Sequence, residues 1–522
     1  MLAWMATATA AALALSTPAN GGGVNTVGLI SSTPDASPGY TLFTCLVYND
    51  AYLVNVEGQI VHSWRSPYAF SLAPYLKENG NMLKYSLRAP MQEFDWDGNL
   101  LWEYHYESAS VTMHHDIAIL PNGNILVIAD ETKSNAEAIA TGRRPIFSSA
   151  VDALHVVELM PVGSNSATIV WEWHIWDHLI QDFDTNQANF GVVADHPERV
   201  DINFGELNYQ DWLHANSIDY NESYDQIILS IRTFSEFWVI DHSTTTAEAA
   251  GHTGGNSGKG GDLLYRWGNP LAYDRGAQAD QKLFKQHDAQ WIPQGKPGAG
   301  NILVFNNGAG RPGGHSSVEE IAPPVDGNGW YTNPLPGAAF GPAAPVWSYT
   351  ATPPGSLFSF TLSGADRQPN GNTLICDGDA GTFLEVTMNG ELVWHYVSPV
   401  NGSGPMPQGS HLVESSTFRA DRYPPDFPAF AGRDLTPNGT LEWDASDAFQ
   451  FQQVGRTASE VNLSWASLPE STYQVQYALS LETPGWTTIS TQTAIGTRTH
   501  FTDTDPLRIN QAVSCYRVLE SP

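Results

Sequence analysis

The chain has 522 residues, of which 42% are apolar, so it can bury a large core and form more than one domain. Its formal net charge of −31 argues against nucleic acid as a partner, because phosphates require a basic face. The three cysteines, Cys45, Cys376 and Cys515, are too few for a disulfide framework and too scattered for a zinc site. Buried free thiols are expected, and a single bridge in an oxidising compartment is the alternative.

Residues 1–22, MLAWMATATAAALALSTPANGG, form an apolar stretch of small side chains. Such a stretch is typical of a secretory signal peptide, and Ala19 fits the small residue at which a signal is cleaved. Its short length and many alanines favour a cleaved signal over a membrane span, and no later segment is apolar enough to cross a bilayer. We therefore predict a periplasmic or secreted protein without a membrane span.

A repeated element that ends in tryptophan gives the number of structural units. Each copy has an apolar pair, a turn and an apolar residue before the tryptophan, as in LEVTMNGELVW. The copies end at Trp64, Trp102, Trp171, Trp267, Trp347 and Trp394. In each unit, two further strands precede this tryptophan-bearing element. The segment NILVIAD is an example of the second of these strands. Four antiparallel strands repeated six times predict an all-β protein with a six-bladed β-propeller over residues 40–435.

The two ends of this repeat region need separate treatment. The first unit lacks an opening strand, and HLVESSTFRADRY at 411–423 is expected to supply it and close the ring, which removes open sheet edges. Residues 445–522 alternate between apolar and polar side chains and predict a small β-sandwich of the fibronectin type III kind. Its expected role is that of a spacer or surface adaptor.

Three histidines recur at the start of the first strand of three units. They are His115, His214 and His287, and Ser363 stands at the equivalent position of a fourth unit. Equivalent positions of propeller blades lie at equal height on the inner wall, so the three imidazoles are expected to converge. A single histidine on a strand is usually structural, whereas three at one repeat position favour a functional site.

Two polar residues accompany His214. A turn centred near Ser223 places residue 214 opposite Arg232, and Asn216 projects from the same strand face as His214. Arg232 supplies a fixed cation whose donors match the oxygens of a sulfuryl, phosphoryl or carboxyl group, and Asn216 adds neutral donors. A neutral imidazole is a nucleophile near pH 7, and its neighbours can exchange protons. This combination favours the transfer of an anionic group.

Several neighbouring residues are weaker candidates. Arg311, in the Gly-rich segment NNGAGRPGGHSS near the predicted channel mouth, is expected to contact substrate. Asp130 is expected to orient the site histidine across its own hairpin. His114 should point away from the site and be structural, because successive strand side chains alternate. Asp116 and Asp288 each follow a site histidine and are expected to turn into the adjacent packing layer.

The segments HDIAILPNGN, WLHANS with an arginine further along its hairpin, and QHDAQWIP resemble those of bacterial arylsulfate sulfotransferases, over roughly residues 40–435. The resemblance implies a six-bladed propeller that uses no cofactor and no nucleotide sulfate donor. It implies transfer of a sulfuryl group from a small phenolic sulfate to a phenolic acceptor through a sulfohistidine. The nucleophile falls on His287. The sulfate-binding and proton-transfer positions fall on His115, His214, Asn216 and Arg232.

Three other functions stay open at this point. Three imidazoles can hold zinc or manganese, although Arg232 would repel a dication, so a site without metal is predicted. A propeller polysaccharide lyase acting on uronic-acid-containing glycans, with or without a metal, is a second alternative. A non-catalytic binding propeller is the third. A homo-oligomer is compatible with the sequence.

Overall fold

The computed structural model describes residues 4–5, 25–69, 71–86, 89–145, 150–410, 415–444, 451–457, 459–480, 485–511 and 514–521. Strands dominate the described chain and its helices are short, so the all-β prediction is confirmed. Most of the predicted signal peptide, and residues 411–414 of the predicted closing segment, lie outside the described residues. No helix of the described ranges has both the length and the apolar character that crossing a membrane requires.

Six antiparallel sheets carry most of the chain. From the first strand to the last across the sheet, sheet 1 contains Ala420–Tyr423, Tyr40–Thr44, Asp50–Asn55 and Ile60–Arg65. Sheet 2 contains Ser71–Leu76, Met82–Ser86, Met91–Phe94 and Leu100–Tyr104. Sheet 3 contains Val111–Ile119, Ile125–Ser134, Ala150–Val162 and Ser166–His174.

The remaining three sheets repeat this order. Sheet 4 contains Ala215–Asn221, Gln226–Ile231, Glu236–Asp241 and Tyr265–Trp267. Sheet 5 contains His287–Trp291, Ile302–Asn306, Ser317–Ile321 and Trp347–Tyr349. Sheet 6 contains Gly364–Arg367, Thr373–Asp377, Thr382–Val386 and Leu392–Val397, with Gly28–Ser32 added at its outer edge.

Sheet 1 takes its first strand from the far end of this region. Ala420 pairs with Phe43 and Tyr423 pairs with Tyr40, so the strand Ala420–Tyr423 lies antiparallel to Tyr40–Thr44. This confirms that the segment after residue 411 supplies the opening strand that the first repeat unit lacks. The strands of sheet 1 therefore join chain segments more than 300 residues apart.

Short elements fill the connections. Leu179–Ile180 pairs in parallel with Val200–Asp201, and Val400–Asn401 pairs with Gly404–Pro405. The α-helices are Asn135–Ala140, Thr246–Ala249 and Pro506–Ile509. The 3-10 helices are Ile175–His178, Val193–Asp195, Pro270–Tyr273, Gln278–Asp280, Pro354–Ser356 and Pro428–Phe430.

The C-terminal region has two sheets around its own core. One contains Trp4–Met5, Cys515–Glu520, Thr472–Ala478 and Thr487–Thr493. The other contains Phe451–Arg456, Val461–Ala466 and Arg498–Asp503. Buried and partly exposed residues alternate along Val461–Ala466, and Trp465 packs in a core to which both sheets contribute. Alternation of this kind is what two packed sheets require; the fibronectin type III likeness stays a prediction.

The repeat tryptophans link each sheet to the next. Each of them donates its indole N–H to an acceptor beside the last two strands of the following sheet. The six bonds are Trp64 to Asp95 O, Trp102 to Ser166 O, Trp171 to Thr244 Oγ1, Trp267 to Pro342 O, Trp347 to Met388 O and Trp394 to Val56 O. The last bond runs from sheet 6 back to sheet 1.

The first strands are joined by buried carboxylates. Asp116 Oδ2 accepts from the backbone N–H of Ile218 (3.1 Å), and Asp288 Oδ2 accepts from that of Ala365 (2.9 Å). Arg419 lies between these two carboxylates, with Nη2 2.8 Å from Asp116 and Nε 3.0 Å from Asp288. The two aspartates therefore face the adjacent packing layer, as the sequence predicts, and Arg419 compensates their charge.

Removing this cation tests its structural role. We expect Arg419→Met to lower the free energy of unfolding by about 3–5 kcal/mol, because two buried carboxylates lose their counter-charge. Denaturant unfolding at pH 7 measures the change. Arg144→Met is the control, since the exposed Arg144 lies 3.7 Å from Asp182 and 5.4 Å from the ring of Phe183, and the loss of such surface contacts should matter little. Equal losses for the two variants would contradict the prediction.

Candidate active site

Irregular backbone at the strand starts brings the site together. In sheet 3, Met113 pairs with Ala129 and Ile117 with Val127, so residues 114–116 bulge opposite a single residue. His115 and His214 have φ values of 40° and 47°, in the left-handed region that ordinary side chains rarely adopt. Such strain is typical of functional positions, where the surrounding structure maintains it.

The bulge gathers three imidazoles. The ring of His115 lies 4.1 Å from that of His114 and 4.5 Å from that of His214, measured between centroids. His115 Nδ1 is 3.0 Å from the ring nitrogens of His114. The prediction that His114 points away is wrong, because the bulge breaks the alternation of side chains on which it depended. Burial, together with the charges of His114 and His214, holds the pKa of His115 well below its usual value.

Two aspartates hold this group of histidines. Asp211 Oδ2 lies 2.5 Å from His214 Nδ1 and 3.5 Å from His114 Nε2, and Asp130 lies 3.5 Å from the same nitrogen of His114. Burial opposes the charged form of His114, but Asp130 and Asp211 outweigh it and raise its pKa to about 9. Asp130 therefore does not face His115 as predicted, because it pairs across the hairpin with Thr112, before the bulge. Asp211 was not predicted from the sequence, since it lies in the loop before its strand.

His287 has a fixed tautomer. Its Nδ1–H donates to Asn307 Oδ1 at 2.8 Å, while the amide of Asn307 donates to Ser359 O and Leu362 O. These two bonds orient Asn307 with its oxygen toward the imidazole, so the lone pair of His287 lies on Nε2. Burial and the charge of Arg232 lower the pKa of His287 to about 3, which keeps the ring neutral at pH 7. This combination suits a nucleophile.

Asn307 was not predicted from the sequence either, although a signal was present. Asn307 directly follows Ile302–Asn306, the second strand of sheet 5, as Arg232 directly follows Gln226–Ile231 in sheet 4. Residues at this repeat position lie beside the site histidine of their own sheet. A comparison of the units at this position identifies both residues.

Arg232 is a cation that pairs with no carboxylate in the described part of the chain. Its backbone N–H donates to His214 O (3.2 Å), in agreement with the predicted hairpin register. Its side-chain Nε is buried without a hydrogen-bond partner, and no described carboxylate pairs with its guanidinium. The charge of Arg232 contributes to lowering the pKa values of His115, His214 and His287, which places it within electrostatic reach of all three. A buried donor of this kind suits an anion.

Asn216 and Arg311 are engaged with the protein itself. Asn216 Nδ2 donates to the carbonyl of Gln286, the residue before His287, at 2.8 Å. Arg311 Nη1 donates to Ser317 Oγ at 2.8 Å, and its Nη2 lies 3.7 Å from Glu319. Asn216 thus supports the backbone of the nucleophile candidate. Substrate contact by either residue stays a prediction.

A cleft of about 600 Å³ lies along residues 205–209, in the loop that leads into sheet 4. The hydrogen bond from Lys285 and the charge of Arg232 lower the pKa of Glu206 within this loop. Tyr209 in the same loop has 43% of its surface exposed. The cleft therefore contains a residue, Glu206, within electrostatic reach of Arg232, and it offers an aromatic side chain to an incoming ligand.

Protonation of His114 and the charge of Arg232 compete with metal binding at the site. One ligand atom each from His114, Asp211 and His214 lies within 4.8 Å of the others, a spacing that a metal ion could use. However, the raised pKa of His114 keeps this imidazole protonated at pH 7, so a metal ion must displace its proton in order to bind. Arg232 adds a second cation nearby. The arrangement instead suits a small anion between Arg232 and the neutral His287.

The histidine–aspartate group predicts a pH dependence. The folded protein raises the pKa of His114 from 6.5 to about 9. The pairing of charged His114 with Asp130 and Asp211 therefore contributes its full stability below about pH 6.5, and this stability is lost as the pH rises through about 9. Between pH 6 and 9 the free energy of unfolding should fall in both proteins. We expect this fall to be about 2–3 kcal/mol larger in the wild type than in His114→Gln. Urea unfolding at the two pH values measures both falls. His242 also has a pKa near 9, but it is present in both proteins, so its contribution to the two falls is the same. Equal falls would contradict the assignment.

Comparisons with solved structures give weak likenesses. A protein of unknown function from Bacteroides caccae has 13% identity and a TM-score of 0.41, covering 74% of this chain and 99% of that chain. A streptogramin B lyase has 12% identity and a TM-score of 0.35, with coverage of 76% and 93%. An inactive virginiamycin B lyase from Staphylococcus aureus has 8% identity and a TM-score of 0.32, with coverage of 84% and 95%. These values carry no argument about function.

No curated protein matches the chain. A family model, Arylsulfotransferase (ASST), matches residues 51–401, which is more than half of the chain. The match covers sheets 2 to 5, the last two strands of sheet 1 and the first four strands of sheet 6, and it includes His115, His214, Arg232 and His287. This chain therefore belongs to the arylsulfotransferase family.

Proposed function

We propose that the protein transfers a sulfuryl group from a phenolic sulfate ester to a phenolic acceptor, without a nucleotide donor, through a sulfated His287. One juxtaposition carries the proposal: a neutral imidazole with a fixed tautomer lies within electrostatic reach of an unpaired, partly buried arginine. Family membership supports sulfuryl transfer as the reaction class. The cationic partner selects for an anionic group, and the imidazole attacks it.

The proposal includes a fold and a location. The six sheets form the blades of a closed six-bladed propeller over residues 40–435, followed by a fibronectin type III-like sandwich at 445–522. The cyclic series of tryptophan hydrogen bonds supports this closure. Residues 1–22 act as a signal peptide, so the enzyme works in the periplasm or outside the cell, and cleavage removes the edge strand Trp4–Met5 from its sheet with Cys515–Glu520.

In the first step, the donor sulfate binds with its free oxygens toward the guanidinium of Arg232. Its aryl ring lies in the cleft along residues 205–209, where Tyr209 offers contact. His287 Nε2 attacks the sulfur, the N–S bond forms and the bond from sulfur to the phenolic oxygen breaks. The sulfuryl group passes through a loose transition state with negative charge on its oxygens. Arg232 stabilises this charge. Asn307 Oδ1 stabilises the positive ring that forms on His287.

The leaving phenolate receives a proton through His115. His115 donates a ring proton to the phenolate oxygen, and His114 replaces that proton across the 3.0 Å separation of their ring nitrogens. His114 serves as the reservoir because its raised pKa keeps it charged at pH 7. Asp211 orients His214, which lies within contact of His115. A phenol has a pKa of about 10, so this assistance accelerates departure.

The acceptor phenol reverses these steps. It loses its proton to His115, which passes one back to His114, and its oxygen takes the sulfuryl group from His287. The product is a new aryl sulfate and the original enzyme. Burial of His287, whose surface is only 2% exposed, limits attack by water on the sulfated intermediate.

The nucleophile is tested by rapid mixing with a chromogenic aryl sulfate. We expect a burst of phenol and a mass increase on His287 in the wild type, and in His287→Ala a loss of both with at least a thousandfold lower turnover. The control is His196→Ala, since His196 is an exposed side chain paired with Glu198. Turnover by His287→Ala at the wild-type rate would refute the proposed intermediate.

The role of Asn307 predicts a separation of kinetic constants. We expect Asn307→Leu to lower kcat about 10–100-fold with little change in the KM for the donor, because Arg232 still binds the sulfate. Nitrogen NMR should show that His287 loses its single tautomer. Asn301→Leu is the control, because Asn301 bonds to Glu320 at the other end of the same hairpin. An unchanged kcat in Asn307→Leu would show that the tautomer does not limit the reaction.

A further inference from the structure

Three metal-ligating side chains lie together on the outer strands of sheet 3. His155 on the third strand pairs directly with His174 on the fourth. Glu172 lies two residues before His174 and therefore projects from the same face. One ligand atom from each of the three residues lies within 4.8 Å of the others. None of these residues takes part in the proposed sulfuryl transfer.

The separations match those of a tetrahedral metal site. Glu172 Oε2 is 3.4 Å from His155 Nε2 and 3.7 Å from His174 Nε2. Two ligand atoms bound to zinc at about 2.1 Å in tetrahedral geometry are about 3.4 Å apart. The distances from Glu172 to the two imidazoles therefore match those that a shared metal ion requires.

His155 supplies an unused ligand atom. Its side chain is only 3% exposed, and among the described residues neither of its ring nitrogens has a hydrogen-bond partner. A buried polar group without a partner is destabilising. His178 shows the contrast, because its Nδ1 contacts Asp262 and its Nε2 contacts Ala249 O. The rings of His155 and His174 are stacked, with centroids 4.1 Å apart and planes 17° from parallel, so one ring must rotate about its side chain before both Nε2 atoms face one ion; a bound metal ion would then satisfy the lone pair of His155.

A second carboxylate orients the other imidazole. His174 Nδ1 lies 3.3 Å from Glu131 Oε2, and Lys133 Nζ lies 2.7 Å from Glu131 Oε1. In metal sites the nitrogen that does not bind the ion commonly donates to a carboxylate, which fixes the tautomer. Glu131 fits this role, since it leaves His174 Nε2 free to face Glu172.

We propose that His155 Nε2, His174 Nε2 and Glu172 Oε2 bind one divalent transition-metal ion, of which Zn²⁺ is the best match. Two imidazoles and one carboxylate suit zinc, whereas magnesium and calcium prefer ligand sets made only of oxygen. Glu172 and His174 are about one-third exposed, which gives the ion access from solvent. The fourth position is open to water or to an external ligand. The ion joins the last two strands of sheet 3.

The experiment uses the full chain after treatment with a chelator. Titration with Zn²⁺ should show one binding site, and Co²⁺ should give the visible absorption of a tetrahedral site. We expect Glu172→Gln and His174→Ala to weaken Zn²⁺ binding at least 100-fold, and Glu131→Gln to weaken it about 10–100-fold. Zn²⁺ should raise the Tm of the wild type but not of Glu172→Gln. Because Glu172 is partly exposed, that variant should fold, which circular dichroism checks.

The controls are His252→Ala and His196→Ala, which remove histidines that contact carboxylates elsewhere on the surface. Both should bind Zn²⁺ as the wild type does. The proposal is overturned if the wild type binds no Zn²⁺ at micromolar concentration, or if Glu172→Gln and His174→Ala bind it unchanged. Loss of the site in His252→Ala instead would assign the ion to the group of His178, His252 and Asp262 and likewise overturn the proposal.

Discussion

Each repeat tryptophan donates one indole hydrogen bond to the following sheet, and together these six bonds join every sheet to the next. The indole is large and mostly apolar, and where it is buried its N–H needs an acceptor. The acceptor always lies beside the last two strands of the next sheet, and Trp394 of sheet 6 donates to Val56 beside sheet 1. The site histidines lie on different sheets, so their mutual positions follow from how the sheets are joined at this outer level.

The interior is stabilised by a different interaction. Asp116 and Asp288 each bind a backbone N–H of the next sheet, and Arg419 balances both charges from the strand that completes sheet 1. The site histidines differ in charge. His114 is kept positive by Asp130 and Asp211, whereas His287 is kept neutral by burial. Imidazoles of one chemical type thus acquire different protonation states because their neighbours differ.

Repetition made part of this arrangement predictable. The tryptophan copies indicated the strand sets of six sheets, and the position of Arg232 followed from hairpin register, since both depend on local periodicity. The predicted orientations of His114 and Asp130 were wrong because a bulge at residues 114–116 interrupts that periodicity without a glycine or proline to mark it. Asp211 and Asn307 were missed because loop and strand-end residues obtain their partners only from tertiary contacts.

The strand Ala420–Tyr423 has a consequence for biosynthesis. Ribosomes release the chain from its N-terminus, so residues 415–423 emerge only after all six tryptophan-bearing segments have been made. Phe418, whose ring lies 6.2 Å from that of His115, and Arg419, which neutralises the inner aspartates, arrive with that late segment. A nascent or prematurely terminated polypeptide therefore lacks both residues, and the candidate site acquires these neighbours only once translation has passed them.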